Sequence, residues 1–301
     1  MSGKILKLSI GKNMPQKTLP DFDSLWDYSA PDRTEIKFRE LLPQFPEGEV
    51  ARLELLTQIA RAQGLQRKFD EAHQTLDGVE KQLDKDPSRA KVRYWLERGR
   101  VFNSSNQADK AKPFFEQALD LAKMLGEDFY AIDAIHMLAI IADPASSLTL
   151  NLSAIQMAES SREERARNWL GSLYNNTGWS YHDMGDFESA LDIFQKAEAF
   201  FRAKGDVQKT RIGVWMVARC LRSMKRFDEA LSRQLALHTE FEAAGETDGY
   251  VFEEIGECLL ALQRETEAKP YFTKAYEVLS QDAWLMENEP ERIKRLKELG
   301  G

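Results

Sequence analysis

The sequence has few of the residues that carry catalytic or metal chemistry. It contains two cysteines and four histidines in 301 residues. The histidines form no His-x-x-x-His or Glu-x-x-His pair; they are His73, His136, His182 and His238. Gly-x-Ser-x-Gly, Cys-x-x-Cys and glycine-rich phosphate-binding motifs are also absent. We therefore expect no catalytic residues, no metal site and no cofactor, which together predict that the protein is not an enzyme.

Long apolar runs and an excess of positive charge are missing as well. No stretch of about 18 apolar residues could cross a bilayer, and Lys4, Lys7 and Lys12 interrupt the N-terminus before a signal-peptide core could form. With 49 acidic and 41 basic residues, the net charge is −8, the opposite sign to that of a general nucleic-acid-binding protein. We expect a cytoplasmic protein that binds neither membranes nor nucleic acid.

Apolar residues make up 43% of the chain, enough for a substantial core, and within residues 171–204 they recur at helical spacing. With Gly171 as position 1, aromatic residues occupy positions 4, 11 and 24, and small residues occupy positions 8, 20 and 27: Tyr174, Tyr181, Phe194, Gly178, Ala190 and Ala197. Positions 4, 8 and 11 share one helix face, as do positions 20, 24 and 27. The pattern predicts two amphipathic helices that pack large side chains against small ones. Gly185 and Asp186 favour a helix end followed by a new helix start.

The same pattern recurs along most of the chain. Copies begin at Leu53, Val92, Ile132, Gly171, Arg211 and Gly249, at separations of 39, 40, 39, 40 and 38 residues. The copy at Val92 meets all six positions, whereas the copy at Ile132 has Asn151 in place of a small residue at position 20. Position 17 is aromatic in three copies, where we expect the residue to open the second helix: Phe69, Phe187 and Phe227.

These residues at these offsets resemble the tetratricopeptide repeat, a helical hairpin of about 34 residues. The resemblance implies an all-α fold, a right-handed superhelical array of about six helical hairpins with capping helices at both ends. The copies here are about five residues longer than the family standard, as in relatives with extended helices. In this family the first helix of each repeat lines a concave surface, and positions 2, 5, 9 and 12 tend to face it.

The chain is expected to divide into four segments. They are a flexible tail (1–20), an aromatic segment with an N-terminal capping helix (21–50), the repeat array (51–282) and a C-terminal capping helix (283–301). Three aromatic residues between Asp21 and Tyr28 are expected to cover the open end of the array, and their insertion into the concave groove is the alternative. Ile293 and Leu296 should cover the last repeat, while nearby lysine and arginine side chains face water.

The resemblance implies a protein or peptide partner in the concave groove. The candidate residues are Arg93, Arg100, Asn103, His136, Asn175, Trp179, His182, Trp215, Arg219, Arg222 and Tyr250. Tryptophan and arginine are over-represented among binding hot spots, which centres the prediction on the fourth and fifth copies. The arginines favour a ligand with acidic as well as aromatic or aliphatic side chains. Alternatively, the tryptophans pack against each other and the arginines form a solvated helix face.

Two further features are interpreted as structural. Cys220 and Cys258 fall at position 10 of adjacent copies. Packed helix axes lie about 8 to 10 Å apart and a disulfide needs Cα atoms within about 7 Å, so we expect free, buried thiols; a redox or metal-binding pair is the alternative. The adjacent carboxylates Glu163–Glu164 and Glu253–Glu254 point to different helix faces and are expected to be solvated.

Three functional interpretations follow. The first is a non-catalytic scaffold or adaptor that binds a protein or peptide. The second is a peptide-sensing regulator whose repeats change pitch when the ligand binds. The third is an enzyme on a helical-repeat scaffold, which would need a carboxylate or histidine cluster in the folded groove. A homodimer is a further alternative, because the terminal aromatic residues of one copy can bind in the exposed groove of another.

Overall fold

The structure is a computed structural model that describes residues 21–301. The tail expected over residues 1–20 lies outside the described residues. Every regular element in the described part is helical, as predicted, and no strand occurs there. The helices are α1 (Pro31–Leu41), α2 (Val50–Leu65), α3 (Phe69–Glu80), α4 (Arg89–Ser104), α5 (Ala108–Leu125), α6 (Asp128–Ile141), α7 (Pro144–Ser160), α8 (Glu164–Arg167), α9 (Leu170–Asp183), α10 (Phe187–Ala203), α11 (Val207–Ser223), α12 (Phe227–Ala243), α13 (Gly249–Ala261), α14 (Glu265–Leu279), α15 (Ala283–Asn288) and α16 (Pro290–Gly300). None of these described helices combines the length and apolarity needed to span a bilayer.

The chain forms two compact units, an N-terminal one ending at Phe114 and a C-terminal one beginning at Phe115. In the N-terminal unit, α2 packs against α1, α3 and α4. In the C-terminal unit, α6 packs with α7, α9 with α10, α11 with α12, and α13 with α14. Each predicted copy starts inside one of the helices α2, α4, α6, α9, α11 and α13, which we call the first helices. We propose to count each first helix and the next long helix as one repeat, which gives six.

Large side chains pack onto small ones where the pattern predicts it. A Cβ atom on Gly178 would overlap the ring of Phe194, and a Cβ atom on Gly256 would lie 2.9 Å from Cε1 of Phe272. Gly178 and Gly256 occupy position 8, while the two phenylalanines occupy position 24 and are almost completely buried. In these two hairpins the helices approach closely because the first helix carries no side chain at the contact, whereas the copies that begin at Leu53, Ile132 and Arg211 have alanine at position 8.

Five of the six hairpins close on a residue in the left-handed conformation at position 15. In the hairpin of α9 and α10 this is Gly185, with a φ of +79°, and the equivalent residues with positive φ are Arg67, Asn106, Lys225 and Gln263. The next amide then bonds back across the turn, as Asp186 N donates to Tyr181 O at 3.0 Å. The second helix begins two residues after the left-handed residue. The prediction for position 17 is confirmed, since α3, α10 and α12 begin at Phe69, Phe187 and Phe227.

The hairpin of α6 and α7 departs from this geometry, as its weaker pattern indicated. Only Ala142 and Asp143 separate the two helices. Asp143 Oδ1 accepts hydrogen bonds from the amides of Ala145 and Ser146 at 3.1 and 3.0 Å, so this side chain caps α7. Asn151 at position 20 is buried. The short helix α8 that follows was not predicted.

The left-handed turns give a matched pair of stability predictions. Gly185→Ala should lower the free energy of unfolding by about 1 to 2 kcal/mol, because a Cβ is strained at positive φ. Gly78 lies within α3, and a Cβ there would meet nothing within 4 Å. Gly78→Ala should therefore raise the free energy of unfolding by about 0.5 to 1 kcal/mol. Urea denaturation of both variants measures the two shifts, and equal signs would contradict the assignment of the turn.

Both ends of the described chain are packed against the neighbouring helices. At the N-terminal end, Phe22 is buried with Phe38, Leu55 and Ile59. At the other end, Ile293 and Leu296 of α16 are buried, and α16 packs against α14. We propose that these two regions act as the caps expected from the sequence.

Candidate partner-binding site

Three aromatic side chains from consecutive first helices of the C-terminal unit form a row. The ring centroids of Trp179 and Trp215 are 6.1 Å apart, and those of Trp215 and Tyr250 are 6.3 Å apart. The indole Nε1 of Trp215 donates to the carbonyl oxygen of Tyr250 at 3.4 Å. The tryptophans therefore contact each other, as the structural alternative predicted. Both tryptophans also line a cavity, so part of each ring remains accessible to a ligand. We call these residues the aromatic row.

An apolar pocket lies on one side of the aromatic row, between α11, α12 and α13. Its volume is about 350 Å³, and its walls include Ile212, Trp215, Leu237, Phe241 and Tyr250. Ile212, 53% exposed, is accessible from solvent. The pocket can therefore take up an aliphatic or aromatic side chain of a partner.

A second cavity, of about 580 Å³, lies between α9, α10 and α11. Asn175 and Asn176 contribute amide groups to its lining, and Asn175 Nδ2 donates to Asn176 Oδ1 at 3.1 Å. Ile212 lines this cavity as well as the apolar pocket. The two cavities therefore adjoin at one exposed apolar side chain, and we call the second the amide cavity.

A third cavity, of about 490 Å³, lies beside Trp179 and Trp215 and is lined by charged residues. These are Arg219, Arg222, Arg292 and Arg295 with Glu253, Glu254 and Glu257, and we call them the charged cluster. A fourth glutamate, Glu289, binds Arg292 at 2.8 Å, so the four arginines are balanced by four glutamates. Arg222 donates two hydrogen bonds to Glu254, at 2.7 and 2.9 Å, and Arg219 Nε lies 3.1 Å from the same carboxylate.

One expectation about this region was wrong. Glu253 and Glu254 are buried in ion pairs, whereas the sequence suggested solvated carboxylates. Lys294, Arg295 and Lys297 of α16 are exposed, as expected, while Arg292 is half-buried; Arg292 binds Glu253 and Arg295 binds Glu257. Hydrogen bonds to Glu253 raise the pKa of Arg292. The arginine partners were not predicted from the sequence. The signal that could have indicated them is the presence of three glutamates within five residues of α13, because closely spaced carboxylates are usually paired with basic side chains.

His182 lies next to the charged cluster. Its Nε2 is 2.9 Å from Ser223 Oγ, which also accepts a hydrogen bond from Arg219 Nη1 at 2.8 Å. Burial, followed by the nearby positive charge of Arg219, lowers the pKa of His182. The imidazole is therefore neutral near neutral pH, so His182 contributes no positive charge to a ligand.

The candidate residues fall in different parts of the molecule. Seven line or adjoin the three cavities of the C-terminal unit: Asn175, Trp179, His182, Trp215, Arg219, Arg222 and Tyr250. His136 lies on α6, with its ring centroid 5.2 Å from that of Trp169, and lines none of these cavities. The N-terminal unit holds the remaining three, where Arg93 binds Asp23 and Arg100 binds Glu97, while Asn103 is half-buried.

Both cysteines are free and buried, as expected. Burial raises the pKa of Cys220 to about 11 and that of Cys258 to about 12. Since a thiolate is the reactive form, we expect neither thiol of the folded protein to react with Ellman's reagent at mildly alkaline pH, and both to react once urea unfolds the chain. Rapid reaction of the folded protein would contradict their burial. Across residues 21–301 no group of three or more metal-ligating side chains is placed to hold a metal ion.

Comparison with known proteins agrees with this architecture. Residues 92–123 and 165–199 match the family model of the tetratricopeptide repeat. No curated protein sequence matches the chain at a significant level. The apo form of RapI is a similar solved structure, with a TM-score of 0.71 and 11% identity over 87% of this chain and 76% of RapI.

Two other solved structures are similar. One is a signal transduction ATPase with numerous domains and a tetratricopeptide repeat sensor, from Pyrococcus horikoshii, with a TM-score of 0.69 and 13% identity. The match covers 88% of this chain, which spans only 41% of that ATPase. The other is the C-terminal part of a TPR repeat-containing protein from Cytophaga hutchinsonii, with a TM-score of 0.58, 12% identity and coverage of 88% and 97%. At these identities the similarities show the fold alone.

Proposed function

From the premise that this chain is a tetratricopeptide-repeat protein, we propose that it is a non-catalytic module that binds a protein or peptide through the first helices of its C-terminal unit. The observation that carries this proposal is the aromatic row, which has an apolar pocket on one side and the charged cluster on the other. Aromatic residues and arginines at the centre of a surface are typical of binding hot spots.

The dimensions of the cavities suit an extended peptide. Ligand pockets typically measure about 300 to 1,000 Å³ and combine apolar walls with a few polar groups. A peptide running across α11 would place an apolar side chain in the apolar pocket beside Ile212 and Trp215. The amide groups of Asn175 and Asn176 in the amide cavity would then hydrogen-bond to its backbone. We therefore propose that a large apolar side chain is the main anchor of the partner.

An acidic preference is a secondary part of the proposal. Arg219 and Arg222 already bind Glu254, so neither guanidinium is fully available to a ligand carboxylate. The side chains of Arg219 and Arg222 are still about a quarter exposed, and this exposed positive charge favours an anionic side chain over a cationic one. We expect acidic residues in the partner to adjust the rate and specificity of binding more than its affinity.

A peptide-sensing regulator is the second candidate function. Arg292 and Arg295 attach α16 to α13 through the charged cluster, so a ligand that enters this cavity must compete with those ion pairs. Such a ligand would shift the C-terminal helix, which is the local change that a sensor requires. The tetratricopeptide repeats of the similar ATPase from Pyrococcus horikoshii are described as a sensor.

The remaining expectations about function stay as predictions. The carboxylates of the charged cluster each bind an arginine, which leaves them poorly placed for acid–base catalysis and supports a non-catalytic role. A net charge of −8 disfavours nucleic acid as the partner. A cytoplasmic location and a homodimer also remain predictions.

A pair of matched substitutions tests the proposed function. Ile212 on α11 and Leu235 on α12 are both exposed aliphatic residues, but only Ile212 lines the apolar pocket and the amide cavity. Ile212→Asp should weaken partner binding by about tenfold or more, because it places a charge where an apolar side chain must enter. Leu235→Asp adds the same charge outside the cavities and should leave binding unchanged.

Affinity capture from native cell extract, followed by titration of the captured partner, measures the difference. Circular dichroism of the two variants checks that both are folded. Equal capture by Ile212→Asp and Leu235→Asp would contradict the proposed binding surface.

A further inference from the structure

Residues 21–28 lie against the first helices α2 and α4 of the N-terminal unit. The carboxylate of Asp23 accepts hydrogen bonds from both terminal nitrogens of Arg93, at 2.8 and 3.0 Å. Arg93 is 2% exposed and occupies position 2 of its copy. In the C-terminal unit the residue at this position of the last copy is Tyr250, part of the aromatic row.

Two aromatic side chains of the same segment contact α2. The indole of Trp26 donates to Gln58 Oε1 at 3.0 Å and stacks on the ring of Tyr28, with centroids 4.9 Å apart. The guanidinium of Arg61 lies 5.5 Å from the ring centroid of Trp26 and 5.3 Å from that of Tyr28. Arg61 occupies position 9, the position that Trp179 and Arg219 hold in the C-terminal unit. The segment therefore covers positions that line open cavities elsewhere in the chain.

The segment has an anchoring part and a more exposed part. Phe22 is 1% exposed and belongs to the core with Phe38, Leu55 and Ile59. Tyr28 is 57% exposed, although it forms part of the ring stack on Arg61. Trp26 belongs to both parts, because it packs against this core, with its ring centroid 5.4 Å from that of Phe38, and also stacks on Tyr28. Asp23, Trp26 and Tyr28 contact α2 and α4 through a carboxylate, an indole and a phenol ring, which are contacts that a bound peptide can make.

We propose that Asp23–Tyr28 is a resident ligand of the N-terminal unit, and that a peptide with the same acidic and aromatic chemistry displaces it. Such a peptide needs a carboxylate that binds Arg93, an indole that donates a hydrogen bond to Gln58, and a second aromatic ring. Both rings contact the guanidinium of Arg61. This inference extends the proposed function to a second surface, and it rests on that function only in treating first helices as binding elements.

The covalent tether determines how the displacement must be measured. A short tether holds a bound segment at an effective concentration of about millimolar, so a free peptide competes poorly with the resident one. Removing the two rings of the resident segment, while keeping Phe22 in the core, should open the surface around Arg61. The two rings of the free peptide can then bind there without competition from the resident rings, while the resident Asp23 stays on Arg93.

The experiment uses the full chain and a fluorescein-labelled peptide with the sequence of residues 23–29. Fluorescence anisotropy should show at least tenfold tighter binding to the Trp26→Ala/Tyr28→Ala variant than to the unaltered chain. Adding Arg61→Ala to the variant should abolish the binding. A peptide with alanine in place of its tryptophan should also fail to bind. Lack of peptide binding to a variant that retains its helix content would overturn the proposal.

A second measurement applies even if the double variant does not fold. The unaltered chain is labelled with fluorotryptophan, and the Trp26 resonance is assigned with Trp26→Phe. Unlabelled peptide, added well above the effective concentration of about millimolar, should move this resonance towards the shift of unfolded protein, and an unchanged resonance at that concentration would mean that the segment is only a structural cap. If sedimentation shows a dimer that the peptide dissociates, the segment binds a second copy and not its own chain, and the proposal is overturned. Ile212→Asp should not alter this binding, which separates the result from the test of the proposed function.

Discussion

Phe194→Ala is expected to lower the free energy of unfolding by about 3 to 5 kcal/mol. Phe194 is fully buried in the core of the C-terminal unit, and its ring centroid lies 5.0 Å from that of Trp179. The ring packs directly on the backbone of Gly178, so alanine would leave a cavity that the two helices cannot fill without moving together. Urea denaturation followed by circular dichroism measures the loss.

A double-mutant cycle separates this packing from the general effect of a core cavity. Gly178→Ala alone should destabilise the protein, because overpacking a core costs about 1 to 3 kcal/mol and outweighs the gain of about 1 kcal/mol in helix propensity. In a Phe194→Leu background the smaller side chain leaves room, and Gly178→Ala should be neutral or stabilising. Additive effects of the two substitutions would contradict direct packing between positions 8 and 24.

The double variant Arg219→Ala/Arg222→Ala is expected to lose about 3 kcal/mol of stability. Glu254 is 4% exposed, and both arginines bind its carboxylate. Removing both cations would leave a buried charge without these partners, which typically costs about 3 to 5 kcal/mol. The lower end applies here because the arginine side chains are themselves about a quarter exposed. Thermal and urea denaturation both report the change.

A third substitution provides the control for this prediction. Adding Glu254→Gln to the double variant removes the buried charge and should recover most of the lost stability. If the triple variant is no more stable than the double variant, the ion pairs do not account for the loss. Partner binding should also be compared in the triple variant, because reduced binding by the double variant could otherwise result from unfolding.

The repeat pattern could be predicted from the sequence because it depends on local spacing. Gly178 and Phe194 lie in one hairpin, and the separation between them fixes which side chains meet once both helices form. Gly185 and Asp186 likewise carry their turn signal in adjacent residues. The positive φ of Lys225 was not predicted, since lysine carries no turn preference and adopts this conformation only because the hairpin requires it.

The site was harder to predict because its contacts join distant residues. Arg222 binds Glu254 across 32 residues, and Arg292 binds Glu253 across 39 residues. Helical periodicity assigns each side chain to a face, but it does not show which charge on another helix lies opposite. The composition of residues 21–28 likewise indicated that these aromatic residues cover the end of the array, but it did not show which side chains of α2 Trp26 contacts.

Site-specific photo-crosslinking tests the central claim most directly. A photoreactive benzoylphenylalanine is placed at Ile212 in one sample and at Leu235 in the other, and each is irradiated in native cell extract. The proposed binding surface predicts a crosslinked partner from position 212 and none from position 235, with the label attached to an apolar segment of the partner. Crosslinking of equal yield from both positions, or from position 235 alone, would contradict binding at the first helices of the C-terminal unit.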